Sequence, residues 1–196
     1  MSREVNTRNV DHGCNDLFPN RWSPRAMSGE ALSDDEINAL FEAARWAPSC
    51  INSQPWRFLY AKKNTPNWDM FFGFLMDLNK LWCVNAGVLI VMAAKKSFGD
   101  QTSPTFAFDT GAAWENLALQ ANLMGLVSHG MAGFDYAAAK TELNLTDDYQ
   151  VLAMAALGRP GRTEDLPDAF REREKPGDRI PIKEFAFEGK FEITVR

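Results

Sequence analysis

Ten consecutive residues decide how this chain is organised: Ala47-Pro48-Ser49-Cys50-Ile51-Asn52-Ser53-Gln54-Pro55-Trp56. The two prolines fix φ at their own positions and push the residues before them, Ala47 and Gln54, towards extended conformations. The remaining side chains place hydroxyl and amide groups on a loop of fixed shape, which suits the binding of a polar heterocycle. The same residue types also form ordinary helix-to-strand connections, so the stretch alone leaves a binding loop and a plain connection both open.

Length and composition restrict the class of protein. The chain has 196 residues, 45% of them hydrophobic and 24% charged, which indicates one domain with a sizeable core. The net charge of −5 argues against nucleic-acid binding, because contact with a phosphate backbone needs a basic surface. The longest apolar run, residues 83–94, is too short for a membrane helix, and residues 1–15 hold no signal-peptide core, so no membrane contact is expected. Three cysteines without metal-ligand spacing favour a reducing, cytoplasmic setting.

A capping box marks the helix that precedes the central loop. The Ser33 hydroxyl can accept the amide of Glu36, whose side chain can reach back to the amide of Ser33. Apolar residues then recur at helical spacing as far as Pro48, which predicts an amphipathic helix. After the loop, residues 57–61 predict a short strand and residues 68–80 a second amphipathic helix.

The second half of the chain contains the most apolar segments. Residues 88–94 form a continuous apolar run, which predicts a central strand buried on both faces. Residues 106–124 are apolar almost all round and end at Gly125, which predicts a long helix in a core or a subunit interface. The other predicted elements are a strand at 127–134, a short helix at 136–143, a strand at 151–157, a charged linker at 162–179 and a final edge strand within 180–196 that would pair with another subunit. Mixed strands and helices indicate an α/β or α+β class.

Several common catalytic arrangements are absent from the sequence. It has two histidines, His12 and His129, and no metal-binding, nucleophile-elbow, Walker or dinucleotide-binding pattern. Cys50 and His129 have the right chemistry for a nucleophilic pair, but nothing in the sequence places them together. The chain therefore fits either a binding module or an enzyme whose cofactor carries the chemistry.

One short motif offers anion-binding chemistry. Arg21-x-Ser23-x-Arg25 places two guanidinium groups and a hydroxyl on one side of an extended turn, where all three could converge on a phosphate. The alternative is a solvated, charged turn that leads into the capped helix. Arg179 could join such a site or lie on the surface.

Taken in order, these pieces resemble the FMN-dependent nitroreductase family. The resemblance covers about residues 20–185. Its elements are Arg21-x-Ser23-x-Arg25, the whole stretch from Ala47 to Trp56, Asn79 followed by Trp82, Gly125-Leu126 after a long apolar helix, Gly133-Phe134-Asp135, Gly158-Arg159-Pro160, and Arg179-Ile180-Pro181. Each piece is weak alone, but their order and spacing together are specific.

The resemblance implies an α+β sandwich with a mixed central β-sheet flanked by helices. It implies an obligate homodimer with two FMN sites at the interface and a C-terminal arm swapped between subunits. On this basis residues 1–19 form an N-terminal arm, residues 20–185 the FMN-binding domain, and residues 186–196 the C-terminal arm or edge strand.

The resemblance also implies a set of cofactor-binding residues. The FMN phosphate and ribityl chain would be held by Arg21, Ser23, Arg25 and Arg179, with backbone contacts from Trp22. The isoalloxazine would be contacted from the other subunit by Pro48, Ser49, Cys50 and Asn52. On its own side it would meet Asn79, Met131, Ala132 and Gly133, with a backbone amide of the last three facing flavin N5.

The expected activity is the reduction of nitro compounds or quinones by NADH or NADPH, in a ping-pong scheme at flavin N5. No protein side chain is expected to be catalytic and no metal is expected. A small-molecule electron acceptor would be the second substrate. The alternatives are a specialised relative, either a reductive dehalogenase or a flavin-consuming enzyme, and a non-catalytic flavin-binding protein. Asp109 stands where some family members have a flavin-contacting Gln, so no flavin contact is expected from it, and the short segment 82–106 leaves little room for a lid.

Overall fold

The computed structural model describes Arg8 and residues 10–191. Its helices are α1 (Leu17–Asn20), α2 (Asp34–Arg45), α3 (Trp68–Phe74), α4 (Asp77–Cys83), α5 (Phe106–Leu123), α6 (Tyr136–Glu142) and α7 (Asp168–Arg171). Its strands are β1 (Trp56–Lys62), β2 (Val88–Lys95), β3 (Ser97–Phe98), β4 (Gln101–Thr102), β5 (Val127–Met131) and β6 (Tyr149–Gly158). Short 3-10 turns occupy Cys50–Asn52, Thr163–Asp165 and Ile182–Glu184. No helix in this part of the chain is long and apolar enough to cross a membrane.

The central sheet has four strands in the order β1-β2-β6-β5. Each pairing among its described strands is antiparallel, so the mixed sheet that the family resemblance implied is not seen here. A mixed sheet would need a further strand running parallel to a neighbour, and residues 180–191 supply none, because they contain a 3-10 turn and are exposed. The α+β sandwich itself is confirmed.

Strand β2 lies between the two hydrophobic cores and contributes one face to each. Its side chains alternate, with Leu89 and Val91 in one core and Ile90 in the other. The first core also contains residues of α3 and α6, and the second contains residues of α2 and α5. The whole apolar run is buried, which confirms the predicted central strand, and each fully buried aliphatic side chain contributes about 1.5–3 kcal/mol.

Helices α2 and α5 form the layer that covers the second core. The predicted capping box is present at the start of α2: Ser33 Oγ accepts the Glu36 amide at 3.2 Å, and Glu36 Oε2 accepts the Ser33 amide at 2.8 Å. Helix α5 buries Leu117 against this core, yet its Phe108 is 81% exposed and its Leu123 66% exposed. The long apolar helix was correctly predicted, and part of its apolar surface is left uncovered by the part of the chain that the structure describes.

The predicted helix at residues 68–80 is two helices in the structure. Leu75 adopts an extended conformation between α3 and α4 and forms a β-bridge with Phe134. The Met76 amide donates to the Gly133 carbonyl at 3.1 Å, and the Asp135 amide donates to the Phe74 carbonyl at 2.8 Å. The break therefore lets the chain pair with the segment that follows β5, which helical periodicity alone could not reveal.

The predicted linker at residues 162–179 packs against the domain instead of extending away from it. It contains α7, and its Leu166 and Glu174 are buried. Leu166 joins the first hydrophobic core, which explains why a charged and proline-containing segment remains in contact with the fold. The predicted final strand is absent from residues 180–191, and its remainder at residues 192–196 lies outside the described residues. The swapped arm stays a prediction.

Candidate functional site

A cavity of about 240 Å³ lies beside the turn formed by residues 21–25. Six of its ten lining residues are Arg or Lys, and we call it the cationic cavity. It is lined by Arg8, Arg21, Trp22, Ser23, Arg25, His129, Arg173, Lys175, Gly177 and Arg179. The structure thus brings together Arg21, Ser23, Arg25 and Arg179, as predicted. Such a concentration of guanidinium groups suits the binding of a phosphate or another anion.

The two arginines of the motif are held in different ways. The Arg21 Nη1 atom lies 3.5 Å from Ser23 Oγ, and its Nε atom lies 3.4 Å from Glu115 Oε1. The Arg25 guanidinium lies over two aromatic rings, 6.0 Å from the centre of Trp82 and 5.5 Å from that of Phe170. Stacking on both rings fixes Arg25 through cation–π attraction while it lines the cavity.

Glu174 anchors the turn from a distant part of the chain. Its Oε1 atom accepts the backbone amides of Arg25 at 2.6 Å and of Ala26 at 2.7 Å. The residue is 9% exposed, and its Oε2 atom is buried without a hydrogen-bond partner in the described part of the chain. Bonds from a carboxylate to amides are charge-assisted and stronger than neutral ones, so Glu174 fixes the course of the backbone at Arg25.

His129 on β5 supports the same turn from the sheet. Its Nδ1 atom lies 2.7 Å from the Ser23 carbonyl oxygen, so Nδ1 carries the proton and donates it to that oxygen. Its ring packs on Trp82 at 4.8 Å. Burial and the positive charge of Arg25 lower the pKa of His129, although the bonds to the Ser23 and Pro24 carbonyls oppose this shift. The lowered pKa favours a neutral imidazole at neutral pH.

A second cavity of about 440 Å³ shares His129 with the first, and we call it the adjoining cavity. Its lining combines the start of α4 with the end of β5, and includes predicted site residues from both. It is lined by Met76, Asp77, Leu78, Asn79, His129, Gly130, Met131, Ala132 and Gly133. The two cavities meet at His129, and one is strongly cationic whereas the other is lined by no Lys or Arg side chain.

Asn79 fixes the backbone that lines the adjoining cavity. Its Nδ2 atom donates to the Gly133 carbonyl at 2.9 Å, and its Oδ1 atom accepts from Trp82 Nε1 at 3.3 Å. A Cβ atom at position 133 would lie 2.8 Å from Asn79 Nδ2, which is closer than real Cβ contacts. A side chain at position 133 would therefore displace the Asn79 amide, which holds the 131–133 segment in place.

The loop at residues 48–52 lies apart from this arrangement. None of Pro48, Ser49, Cys50 and Asn52 lines either cavity. The Cys50 amide donates to Asp109 Oδ2 at 3.2 Å, and the same oxygen accepts from Thr105 Oγ1 at 3.1 Å. The predicted site residues therefore fall into two groups, and one chain does not bring them to a common cavity.

Sequence reasoning did not identify Arg8 and Glu174 as site residues, and it considered His129 only as a partner for Cys50. In the described part of the chain, His129 contacts Ser23, Pro24 and Trp82, so no Cys50–His129 pair is assembled. The bond to Ser23 joins residues 106 positions apart, and the bond from Arg25 to Glu174 joins residues 149 apart. No local pattern indicates such contacts.

Asp109 was expected to have no flavin contact, and the structure gives it a different task. It is 3% exposed and holds the Cys50 amide from helix α5. The sequence offered one signal for this role, which is the position of Asp109 near the start of an apolar helix. A carboxylate buried there needs hydrogen-bond donors from neighbouring segments. Across Arg8 and residues 10–191, no group of three or more His, Cys, Asp or Glu side chains could hold a metal ion.

Comparison with known proteins places the chain in a family. The model of the nitroreductase family matches residues 19–159. A protein of Archaeoglobus fulgidus provisionally named NADH dehydrogenase/NAD(P)H nitroreductase is 26% identical over 160 residues, which cover 80% of this chain and 90% of that protein. Protein DrgA of Synechocystis is 29% identical over 182 residues, covering 77% of this chain and 83% of its own.

Solved structures share the fold of this chain. A crystal structure described as an oxidoreductase containing FMN has a TM-score of 0.93 and 38% identity, and the match covers 97% of this chain and 99% of that one. A provisionally named nitroreductase from Desulfovibrio desulfuricans, in complex with FMN, has a TM-score of 0.73 and 24% identity over 90% of this chain and 96% of its own, which supports the fold alone. The chain therefore belongs to the nitroreductase family of oxidoreductases.

Proposed function

We propose that this protein is an FMN-dependent oxidoreductase that uses NADH or NADPH to reduce nitro compounds or quinones. The observation that carries the proposal is the pair of cavities joined at His129, one cationic and one without a cationic side chain. A flavin mononucleotide has the matching division into an anionic phosphate and a flat ring system. The similar FMN-containing oxidoreductase, at 38% identity over nearly the whole chain, adds support.

The phosphate end of FMN would lie in the cationic cavity. Arg21, Ser23, Arg25 and Arg179 would bind the phosphate and the ribityl chain, and the backbone of Trp22 would add contacts. The residues present fit this group, because several positive charges converge there on one small space. Mutual repulsion between them is relieved when a dianion binds, so the chain's own electrostatics favour a phosphate.

The ring would lie along the adjoining cavity. Met131, Ala132 and Gly133 present backbone to that cavity at the end of β5, and Asn79 keeps this backbone in place. The absence of a side chain at Gly133 allows a planar group to approach the main chain. In this arrangement, an amide of the 131–133 segment and the Asn79 side chain would contact the flavin.

The remaining predicted residues support a homodimer. Pro48, Ser49, Cys50 and Asn52 line neither cavity of their own chain, so we propose that they reach the isoalloxazine bound by the partner subunit. The exposed apolar side chains of Trp46, Ile51, Phe108 and Leu123 lie on or near this loop and on α5. Burying them against a second copy would remove apolar surface from water, and the C-terminal arm would complete that interface.

The residues of the two cavities would hold FMN, which would supply the hydride and electron chemistry between the nicotinamide and the second substrate. The protein's part is to bind and orient: the arginines hold the charged end, and the 131–133 segment sets the position of the ring. The adjoining cavity would admit the nicotinamide and the small-molecule electron acceptor in turn, which is a ping-pong scheme. No protein side chain is needed as a nucleophile in this proposal.

Absorbance spectroscopy tests the proposal directly. The purified protein, mixed with FMN and freed of excess, should be yellow, should bleach on addition of NADH or NADPH without oxygen, and should regain colour when a nitroaromatic compound or a quinone is added. A yellow protein that neither donor bleaches would indicate a flavin-binding protein without this activity. A protein that takes up no FMN would refute the proposal.

A further inference from the structure

Arg8 comes from the N-terminal arm, outside the sequence motifs, and it lines the cationic cavity. Its Nη1 atom donates to the Pro19 carbonyl at 2.9 Å and to the Arg21 carbonyl at 3.0 Å. These two acceptors lie on either side of Asn20, where the chain leaves α1 and enters the 21–25 turn. Arg8 is therefore fastened at the entrance to that turn, and its guanidinium is fixed at the wall of the cavity.

Three arginines from separate parts of the chain meet at this wall. The pKa of Arg8 is lowered by burial and by the positive charges of Arg179 and Arg21, and Asp178 only partly opposes this. Arg179 is held in turn by its own segment, since its Nη1 atom donates to the Gly177 and Asp178 carbonyls. Like charges held close together in a partly buried place are unfavourable until an anion binds among them.

We propose that Arg8 is an additional phosphate-binding residue, through which the N-terminal arm helps to retain the cofactor. The inference rests on the proposed function, because it names Arg8 as a ligand of the same FMN phosphate. The competing explanation is that Arg8 only fastens the arm to the carbonyls of Pro19 and Arg21. The two roles differ in one respect: a phosphate ligand discriminates between FMN and riboflavin, which lacks the phosphate, and a fastening residue does not.

The test compares the affinities of the full-length protein for FMN and for riboflavin, measured by fluorescence quenching at two salt concentrations. Arg8→Gln keeps an amide donor for the carbonyls but removes the charge, and Arg8→Lys keeps the charge but not the planar fork. Arg162→Gln serves as the matched control, because Arg162 is exposed, pairs with Asp165 and lines neither cavity. Circular dichroism of each variant checks that the fold is retained.

We expect Arg8→Gln to weaken FMN binding about tenfold or more, the loss of one charge-assisted contact, with riboflavin affinity unchanged. The salt dependence of FMN binding should decrease in this variant, and Arg8→Lys should fall between it and the wild type. Unchanged FMN affinity in Arg8→Gln would overturn the proposal. An equal loss for FMN and riboflavin would also overturn it, because it would assign Arg8 the fastening role alone.

Failure of the proposed function itself would look different. If the wild-type protein bound neither flavin, inorganic phosphate would be the probe, with thermal unfolding as the readout. Stabilisation by phosphate that is reduced in Arg8→Gln and kept in Arg162→Gln would still support Arg8 as an anion-binding residue. Equal stabilisation of all three proteins, or of none, would refute it.

Discussion

The 21–25 turn and the 48–52 loop contrast in how the chain supports them. The turn is held by Glu174, by His129 and by Arg8, all from other parts of the same chain, and it lines the cationic cavity. The loop is held from outside itself chiefly by Asp109, and Cys50 and Ile51 within it are exposed. One region is thus completed by its own chain, whereas the other presents a fixed shape outwards, as a contribution to a second copy would require.

Removing Glu174 should have the largest effect, and it should act through the 21–25 turn and not through the 48–52 loop. Glu174→Ala leaves the amides of Arg25 and Ala26 without their charged acceptor, and we expect a loss of about 3 kcal/mol in the free energy of unfolding. Urea denaturation measures it, and FMN affinity should fall as well. Glu172→Ala, a change at an exposed neighbour, should leave both unchanged. Wild-type stability in Glu174→Ala would mean that the turn does not depend on this anchor.

Removing Arg21 should reduce cofactor binding more than it reduces stability. We expect Arg21→Ala to weaken FMN binding by about 1.5–3 kcal/mol, because a partly desolvated phosphate loses a charge-assisted partner. Titration with FMN and with riboflavin measures the effect, which should be confined to FMN. Arg57→Ala provides the comparison from the loop region, since Arg57 bonds the Gln54 and Trp56 carbonyls and lines neither cavity. An unchanged FMN-to-riboflavin affinity ratio in Arg21→Ala would contradict the phosphate assignment.

Removing Asp109 should loosen the loop and leave the turn intact. In Asp109→Ala the Cys50 amide loses its acceptor, at an expected cost of about 1–2 kcal/mol in local stability. Hydrogen exchange should accelerate at Cys50 but not at Arg25 or Ala26. Thr105→Val is the matched control, because it removes the other donor to Asp109 and leaves the bond to Cys50. Equal acceleration in the loop and the turn would show that the two regions are not independently supported.

We expect the smallest effect from His129, which should make the stability of the protein depend on pH. Its pKa is lowered in the folded state, so the unfolded chain binds more protons as the pH falls below the ordinary histidine value of about 6.5. The contribution of His129 to the free energy of unfolding is therefore fully present above that pH and is lost as the pH decreases. The loss is no more than about 1.4 kcal/mol per pH unit. Urea denaturation between pH 5.5 and about 7.5 measures the slope, and His129→Asn should reduce it. Identical slopes in the wild type and in His129→Asn would show that His129 does not cause the pH dependence of stability.

The elements that the sequence predicted well are those with local signals. Ser33 and Glu36 sit within one helical turn, and the apolar run of β2 needs no knowledge of its neighbours. The break at Leu75 was missed because it is caused by pairing with Phe134, far along the chain. The packing of residues 162–179 was missed because its charged composition conceals two buried residues, Leu166 and Glu174.

The residues of the candidate site also divide into those that a local sequence pattern indicates and those that only the folded structure reveals. Arg21, Ser23 and Arg25 were predicted from spacing, and the structure places them around one cavity. Arg179 joins them as the family resemblance implied. Glu174 could not be predicted as an anchor, because one carboxylate among many acidic residues becomes informative only when its backbone partners are known. The residues of the loop line neither cavity of their own chain, which agrees with the expectation that they contact a flavin bound by the other subunit, and that contact stays a prediction.

Ile51 gives the loop a property that bears on protein engineering. It is β-branched and has a φ of +49°, and Asn52 and Gln54 are also in the left-handed region, at +57° and +45°. The extended conformation expected of Gln54 from its place before Pro55 is therefore wrong, because the loop imposes a positive φ there. Such conformations cost about 1–3 kcal/mol each and persist only where the surroundings impose them. The ten-residue stretch therefore does not carry its own shape. Grafted into another scaffold without a buried carboxylate equivalent to Asp109, it would relax to an ordinary turn, so the transplantable unit is the loop together with the first turn of α5.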